Sequence, residues 1–191
     1  MASLKTRQLV ESAVLIALGY LLSMFLKFHV VPNGGSVTAV SMLPILLIGV
    51  RNGPVWGFGA AVVYGALQML QGFYAPPVHD FISYLGVVTL DYLVAFGLLG
   101  VAGLGVFRKS KWGIVAAAPV AIGLRYISHI LSGAIIWGVY SVEIFGRDIG
   151  EYSTWIFSII YNGTYMIPEI ILTTIVAALL VKAAPQLLER K

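Results

Sequence analysis

Asp91, Arg125 and His129 each stand inside an apolar run long enough to cross a bilayer. TLDYLVAFGLLGVAGLGVF carries the first, and LRYISHILSGAIIW carries the other two. An Asp or Arg at the centre of a membrane helix costs roughly 2.5–3.5 kcal/mol on insertion scales, so it must face a partner, a water-filled cavity or a ligand. An acid, a base and an imidazole on two separate runs, with aromatics nearby, predict a polar pocket inside a small membrane protein. The rest of the chain agrees. Only 10% of its residues are charged and 59% are hydrophobic, where a soluble domain carries about 25% charged residues.

The apolar runs divide the chain into six expected spans, given that a span needs about 20 residues. They cover about Leu9 to Leu26, Val37 to Val50, Val55 to Leu70, Phe81 to Phe107, Trp112 to Val139 and Thr154 to Val181. The second is short and follows the turn-prone Pro32-Asn33-Gly34-Gly35. The expected fold is therefore an all-α polytopic membrane protein of six transmembrane helices, one domain over residues 1–191. Six spans put both termini on one side. Lys5, Arg7, Arg51, Arg108, Lys109, Lys111, Lys182, Arg190 and Lys191 fall on that side; Lys27 and Arg147 fall on the other. The positive-inside rule then makes both termini cytoplasmic. The outward loops carry His29, His79, Asp80, Glu143, Asp148 and Glu151.

Several classes drop out. With no cysteine, disulfides, thiolate metal sites and cysteine nucleophiles are excluded. The net charge of +4 is scattered over short loops, as membrane topology places it and not as a nucleic-acid surface would. No small-residue cleavage site follows the first run, in LLSMFLKFHVV, so it reads as a retained helix and not as a signal peptide. There is no GxxxxGK[ST] sequence, so energy for uphill transport would come from a partner or from ions.

The polar residues within the spans each admit a bland reading. Asp91 could accept from a cationic or amino-bearing ligand, or hold the bundle through an ion pair with Arg125. Arg125, His129, Gly133 and Trp137 are spaced by four and form one slowly drifting stripe. Gly133 leaves room there for a flat ligand or a neighbouring backbone. Alone, His129 reads as a satisfied core histidine and Trp137 as an interfacial anchor; with Asp91 they favour a pocket. On the sixth run Tyr161, Asn162, Tyr165 and Glu169 interrupt the apolar residues, with Pro168 among them. Asn162 suits a bond to a neighbouring helix as well as a ligand, and Glu169 could pair with a tyrosine hydroxyl in the bundle interior. Ala13 and Ala17 on the first run make a small-xxx-small face that another helix can approach closely.

Taken in order, LDYLVAFGLLGVAG, LRYISHILSGAIIWG and YNGTYMIP on the last three runs resemble the thiamine-specific S-components of energy-coupling factor transporters, the ThiT family. GGSVTAVSMLPILLIGVRNG resembles that family's first loop and second helix, so the likeness covers nearly the whole chain. It implies a bacterial six-helix cell-membrane protein that binds thiamine near its outer face. It also implies docking on a transmembrane coupling subunit driven by two cytosolic ATPases. No cofactor is implied for this chain, since ATP is used by the partners. The family's acidic residue falls on Asp91 and its tyrosine on Tyr92. The fifth-helix positions fall on Arg125, His129, Gly133 and Trp137, the sixth-helix asparagine on Asn162, and the docking alanines on Ala13 and Ala17. Some members have Glu in place of Asp91, Tyr in place of Phe157, and a first-loop tryptophan where this chain has Gly34, Gly35 and Ser36.

The chemistry points the same way. An aminopyrimidine suits a carboxylate and an amide, and a cationic thiazolium over an aromatic face gains roughly 0.5–2 kcal/mol. Three other readings compete. A stand-alone secondary transporter would tend to show internal repeats and broken helices, and no strong repeat is seen. An S-component for another vitamin would share the fold. A membrane enzyme using Asp91, His129 and Glu169 as acid and base would need them convergent on a reacting atom, and no nucleophile or metal cluster accompanies them in the sequence.

Overall fold

Caps and breakers set where the helices begin. Ser3 accepts a bond from the Thr6 amide and starts α1, Leu4–Phe25. Gly53, with φ of 92°, ends α2, Leu43–Asn52, and Pro54 at once begins α3, Pro54–Gln71; proline suits a first helical position because its missing N–H has no partner there in any case. Asp80 accepts from the amide and hydroxyl of Ser83, both at 2.9 Å, and opens α4, Phe81–Gly103. Those two donors hold its carboxyl below the usual carboxylate range. α5 covers Gly113–Trp137 and α6 covers Thr154–Ala183. The computed structural model describes residues 3–31, 34–138 and 142–189. Pro32 and Asn33 of the expected turn, Val139 at the end of the fifth expected span, and the terminal cations Arg190 and Lys191 lie outside the described residues.

Among the described residues four helices, α1, α4, α5 and α6, are long and apolar enough to cross a membrane. The second expected span is corrected. Ser36–Val37 form strand β2, which pairs antiparallel with β1, Phe28–His29, and helix begins only at Leu43. At ten residues α2 has half the length a crossing needs. A second small ladder pairs β3, Glu143–Ile144, with β4, Arg147–Asp148. The remaining expected spans match helices to within a few residues. Pro119 and Pro168 sit inside α5 and α6 without ending them.

α1 is apolar nearly all round, yet its buried residues are Gln8, Ser12, Gly19 and Ser23. These small and polar groups form the face that packs inward. Gln68 and Gln71 donate to Ser23 Oγ at 3.0 and 2.6 Å, and Tyr64 donates to the Gly19 carbonyl at 3.3 Å. Ala13 and Ala17 are exposed on another side of the helix.

At the opposite end, backbones touch. A Cβ on Gly57 would lie 2.9 Å from Gly49 Cα and 3.1 Å from the Gly100 carbonyl oxygen. One on Gly100 would lie 2.5 Å from Phe58 Cα, and one on Gly103 2.7 Å from Pro54 Cα. α2, α3 and α4 therefore meet glycine to backbone, the close approach that small residues permit between apolar helices. Arg108 closes this end, donating to the Val50 and Arg51 carbonyls at 3.0 and 3.1 Å. Arg51 itself pairs with Glu11 and donates to the Leu187 carbonyl.

Gly100→Ala is expected to destabilise the bundle by roughly 1–3 kcal/mol, the usual cost of overpacking. Gly59→Ala, with nothing within 4 Å of the added Cβ, should leave the thermal midpoint in detergent unchanged.

Candidate functional site

Asp91 projects from a widened stretch of α4, Val88–Val94, in which the helix closes its hydrogen bonds one residue further along than usual. Such π-type turns are uncommon and recur at functional sites. The wider turn leaves a carbonyl to be satisfied, and Ser128 Oγ on α5 donates to the Leu90 carbonyl at 2.6 Å. The Asp91 side chain takes three donors from α5. Ser132 Oγ reaches Oδ2 at 2.6 Å, Trp137 Nε1 reaches the same oxygen at 3.0 Å, and His129 Nδ1 lies 3.0 Å from Oδ1. An ionised carboxylate only accepts, so Nδ1 carries the proton in this pair.

α5 is widened as well, over Gly133–Trp137, and the Gly138 amide bonds the Gly133 carbonyl at 3.1 Å. Residues four apart on an ordinary helix drift by about 40° per step. A turn that takes more residues counters that drift, and Trp137 returns to the side of His129 and Asp91. Two members of the stripe read from the sequence, His129 and Trp137, thus converge on one carboxylate.

Arg125 is not among Asp91's donors, so the ion pair weighed as a bundle-holding role does not form. Its guanidinium lies 4.1 Å above the Phe96 ring, and Nη1 donates to Met42 Sδ at 3.1 Å. Phe96 and Met42 bring α4 and the entry to α2 around the cation.

Gly133 lines the cavity and also lets α6 come close. A Cβ there would stand 2.2 Å from Ser158 Oγ and 3.3 Å from Asn162 Nδ2, so the glycine admits α6. Asn162 Nδ2 donates to the His129 carbonyl at 3.3 Å and to the Ser158 carbonyl at 2.9 Å, and Tyr165 donates to Asn162 Oδ1. Phe157 stacks on Tyr161 with centroids 5.8 Å apart. Tyr92 turns its hydroxyl away from Asp91 and donates to the Gly72 carbonyl at 3.0 Å. Glu169 is buried and takes the amide and hydroxyl of Thr38 on Oε1; its partner is this threonine.

Asp91, Tyr92, Arg125, His129, Gly133, Trp137, Phe157 and Asn162 line one cavity of about 160 Å³. A single water needs roughly 10–15 Å³ on a comparable measure, so the space suits an organic molecule. The His129 Nε2 and Arg125 Nε atoms have no protein partner among the described residues. The other wall escaped the sequence reading. Tyr64, Gln68 and Gln71 of α3, Tyr74 beyond it, Lys27, Thr38 and Ser41 also line the cavity. Glutamines near a helix end look like an ordinary polar terminus; their partners on α1 are what place them inside. No group of three or more His, Cys, Asp and Glu suited to a metal occurs among the described residues.

Residues 9–189 match the protein family described as thiamine transporter protein (Thia_YuaJ). The thiamine transporter ThiT of Bacillus subtilis is 34% identical over 199 residues, covering 95% of this chain and 94% of its own. That of Lacticaseibacillus paracasei is 29% identical over 177 residues, covering 84% and 83%. A solved structure of ThiT from Listeria monocytogenes superposes with a TM-score of 0.76 at 20% identity, over 98% of this chain and all of that one. At that identity the likeness speaks for the fold.

Gly133→Ala should push Ser158 and Asn162 off α5 and lower the thermal midpoint. Adding Ser158→Gly, which removes the clashing hydroxyl, should recover most of the loss; calorimetry or dye-based melting in detergent reads both.

Proposed function

The chain belongs to the thiamine transporter family, and from that premise we propose that it is the thiamine-capturing S-component of an energy-coupling factor transporter. The observation that carries the reading is the convergence on Asp91 of His129, Ser132 and Trp137 at the wall of a ligand-sized cavity. A carboxylate has about four lone-pair sites, so three donors leave one direction for an aminopyrimidine. The Trp137, His129 and Phe157 rings offer flat faces, and a permanent cation gains from an aromatic face without needing a proton. Asn162 and Arg125 complete the set of polar groups, few and placed, within a largely apolar wall. Tyr92 and Gly133 act by shaping the walls. Thiamine enters and leaves unchanged, in keeping with a family of transporters and not of enzymes.

The topology proposed is six crossings in one domain, 1–191, with both termini cytoplasmic. The distribution of cations supports it. Arg51 and Arg108 are bonded together at the end where Leu187 lies, whereas Lys27 lines the cavity at the other end. α2 would complete its crossing with the non-helical stretch 36–42 ahead of it, which is tolerated at membrane depth where it is buried in protein or lines a cavity. Thiamine would then enter from outside.

Coupling is assigned to partners, a transmembrane subunit and two ATPases, and the docking face to Ala13 and Ala17. Their exposure supports this, since the inward side of α1 is taken by Gln8, Ser12, Gly19 and Ser23. A helix face of small residues accepts a partner helix closely.

Two experiments test the reading. Asp91→Asn keeps one acceptor oxygen for Ser132 and Trp137 but turns an NH2 toward His129 and removes the charged acceptor; thiamine affinity, read by tryptophan fluorescence titration, should fall at least about tenfold. Unchanged affinity refutes the ligand role of Asp91. Ala13→Trp and Ala17→Trp should abolish uptake by cells while the purified variants still bind thiamine. Loss of both together would mean that this face packs within the protein.

A further inference from the structure

The cavity wall opposite Asp91 is built on backbone that does not favour its own conformation. Ala39 and Val40 both have positive φ, 30° and 64°. For a β-branched residue such as Val40 that is an outlier, and it persists only where surrounding contacts over-determine it. The residues on either side shape the cavity. Thr38 and Ser41 line it, and Met42 receives the Arg125 guanidinium.

The contacts that hold this turn come from α6. Glu169 is 1% exposed and accepts both the amide and the hydroxyl of Thr38 on Oε1. Thr38 Oγ1 lies 2.7 Å from Ser41 Oγ, so the same group spans the strained pair. One turn earlier on α6, Tyr165 packs against Gly35, where a Cβ would fall 3.0 Å from its ring. The second oxygen of Glu169 has no protein partner among the described residues, so the carboxylate is engaged through Oε1. A buried carboxylate placed on a backbone amide is a strong, charge-assisted tie. The binding chemistry derived above makes no use of it.

We propose that Glu169 is a positioning residue for the ligand cavity: through Thr38 it holds the strained turn 38–42 in the shape that lines the site. Without the tie the turn relaxes toward ordinary backbone. Only a fraction of molecules then presents the wall formed by Thr38 and Ser41, with Met42 behind it under Arg125. Apparent affinity falls by that fraction, although no ligand contact has been removed. The affinity part of the proposal rests on the thiamine reading; the ordering part does not.

The test uses full-length protein in detergent and two readouts. Amide exchange, followed by mass spectrometry on peptides spanning 36–42 without thiamine, reports the order of the turn. Fluorescence titration reports thiamine affinity. In Glu169→Met, exchange of 36–42 should accelerate by roughly tenfold to a hundredfold, with affinity weakened by the smaller factor set by the fraction of molecules whose turn has relaxed. Thr38→Val, which keeps the amide bond and loses the hydroxyl bond, should show a smaller change, and Thr38→Ser should stay near wild type. Thr38→Val added to Glu169→Met should cost little more than Glu169→Met alone, because both act on one tie. Exchange of 36–42 unchanged in a folded Glu169→Met protein overturns the proposal, as does acceleration spread evenly over all helices. If Glu169→Met does not fold, Thr38→Val decides by the same two criteria. Wild-type protein that fails to bind thiamine removes the thiamine reading, and the exchange result still decides the role of Glu169.

Discussion

A carboxylate inside an apolar bundle has to be supplied with donors, and only neighbouring helices can supply them. Asp91 takes all three of its donors from α5, at Ser132, His129 and Trp137. Ser128, one position before His129, satisfies the Leu90 carbonyl one position before Asp91. α4 and α5 are thereby locked in register at the depth of the cavity. Removing a single partner from a buried charge typically costs several kcal/mol, because the remaining charge is stranded. The widened turns in both helices are part of the same requirement. They rotate side chains toward the carboxylate, and they free a carbonyl that Ser128 satisfies. Asn162 repeats the device on α6 by capping the His129 carbonyl. The site and the packing of the last three helices are one network.

The two ends of the bundle are held by different physics. Where α2, α3 and α4 converge, Gly49, Gly57, Gly100 and Gly103 allow backbone to lie on backbone, and Arg108 and Arg51 close the carbonyls around them. Close packing of this kind deforms little. At the cavity end the contacts are hydrogen bonds through Gln68, Gln71, Thr38 and Tyr92. Such bonds can be exchanged for bonds to a ligand or to water at modest net cost. The division gives the bundle a close-packed base and a hydrogen-bonded cavity end.

Most of the helical plan was legible because hydrophobic runs of 20 residues have one solution in a bilayer. The second run was not, since Val37 to Val50 is as apolar as a helix but begins with β-branched and small residues that here form a strand and a strained turn. Asp91, Arg125, His129 and Asn162 were legible as polar interruptions, Phe157 only through the family resemblance, and all eight candidate residues line one cavity. Their partners were less so. Asp91 and Arg125 look like an ion pair on charge alone, but Arg125 is placed over Phe96 and beside Met42. Gly133 looks like space until Ser158 arrives from α6. Glu169 looks like a partner for a tyrosine of its own helix, yet it reaches a loop residue 131 positions earlier in the chain. Each of these depends on which residues distant in sequence come together, which a single sequence leaves open.

The separation of Arg125 from Asp91 bears on what the cavity can hold. Had the two paired, each would have neutralised the other and a charged ligand would have found little field. With Asp91 engaged by hydrogen bonds, its charge is spread over donors but not cancelled. Arg125 is held against a ring face and a thioether, partners that leave its Nε without an acceptor among the described residues. The cavity thus keeps Asp91 and Arg125 unpaired with each other. On the proposed reading, thiamine meets Asp91 with its aminopyrimidine and keeps its fixed cation over an aromatic face, away from Arg125. A purely apolar or singly anionic ligand of the same size would leave Asp91 buried with nothing to replace the water it loses, and that desolvation works against it.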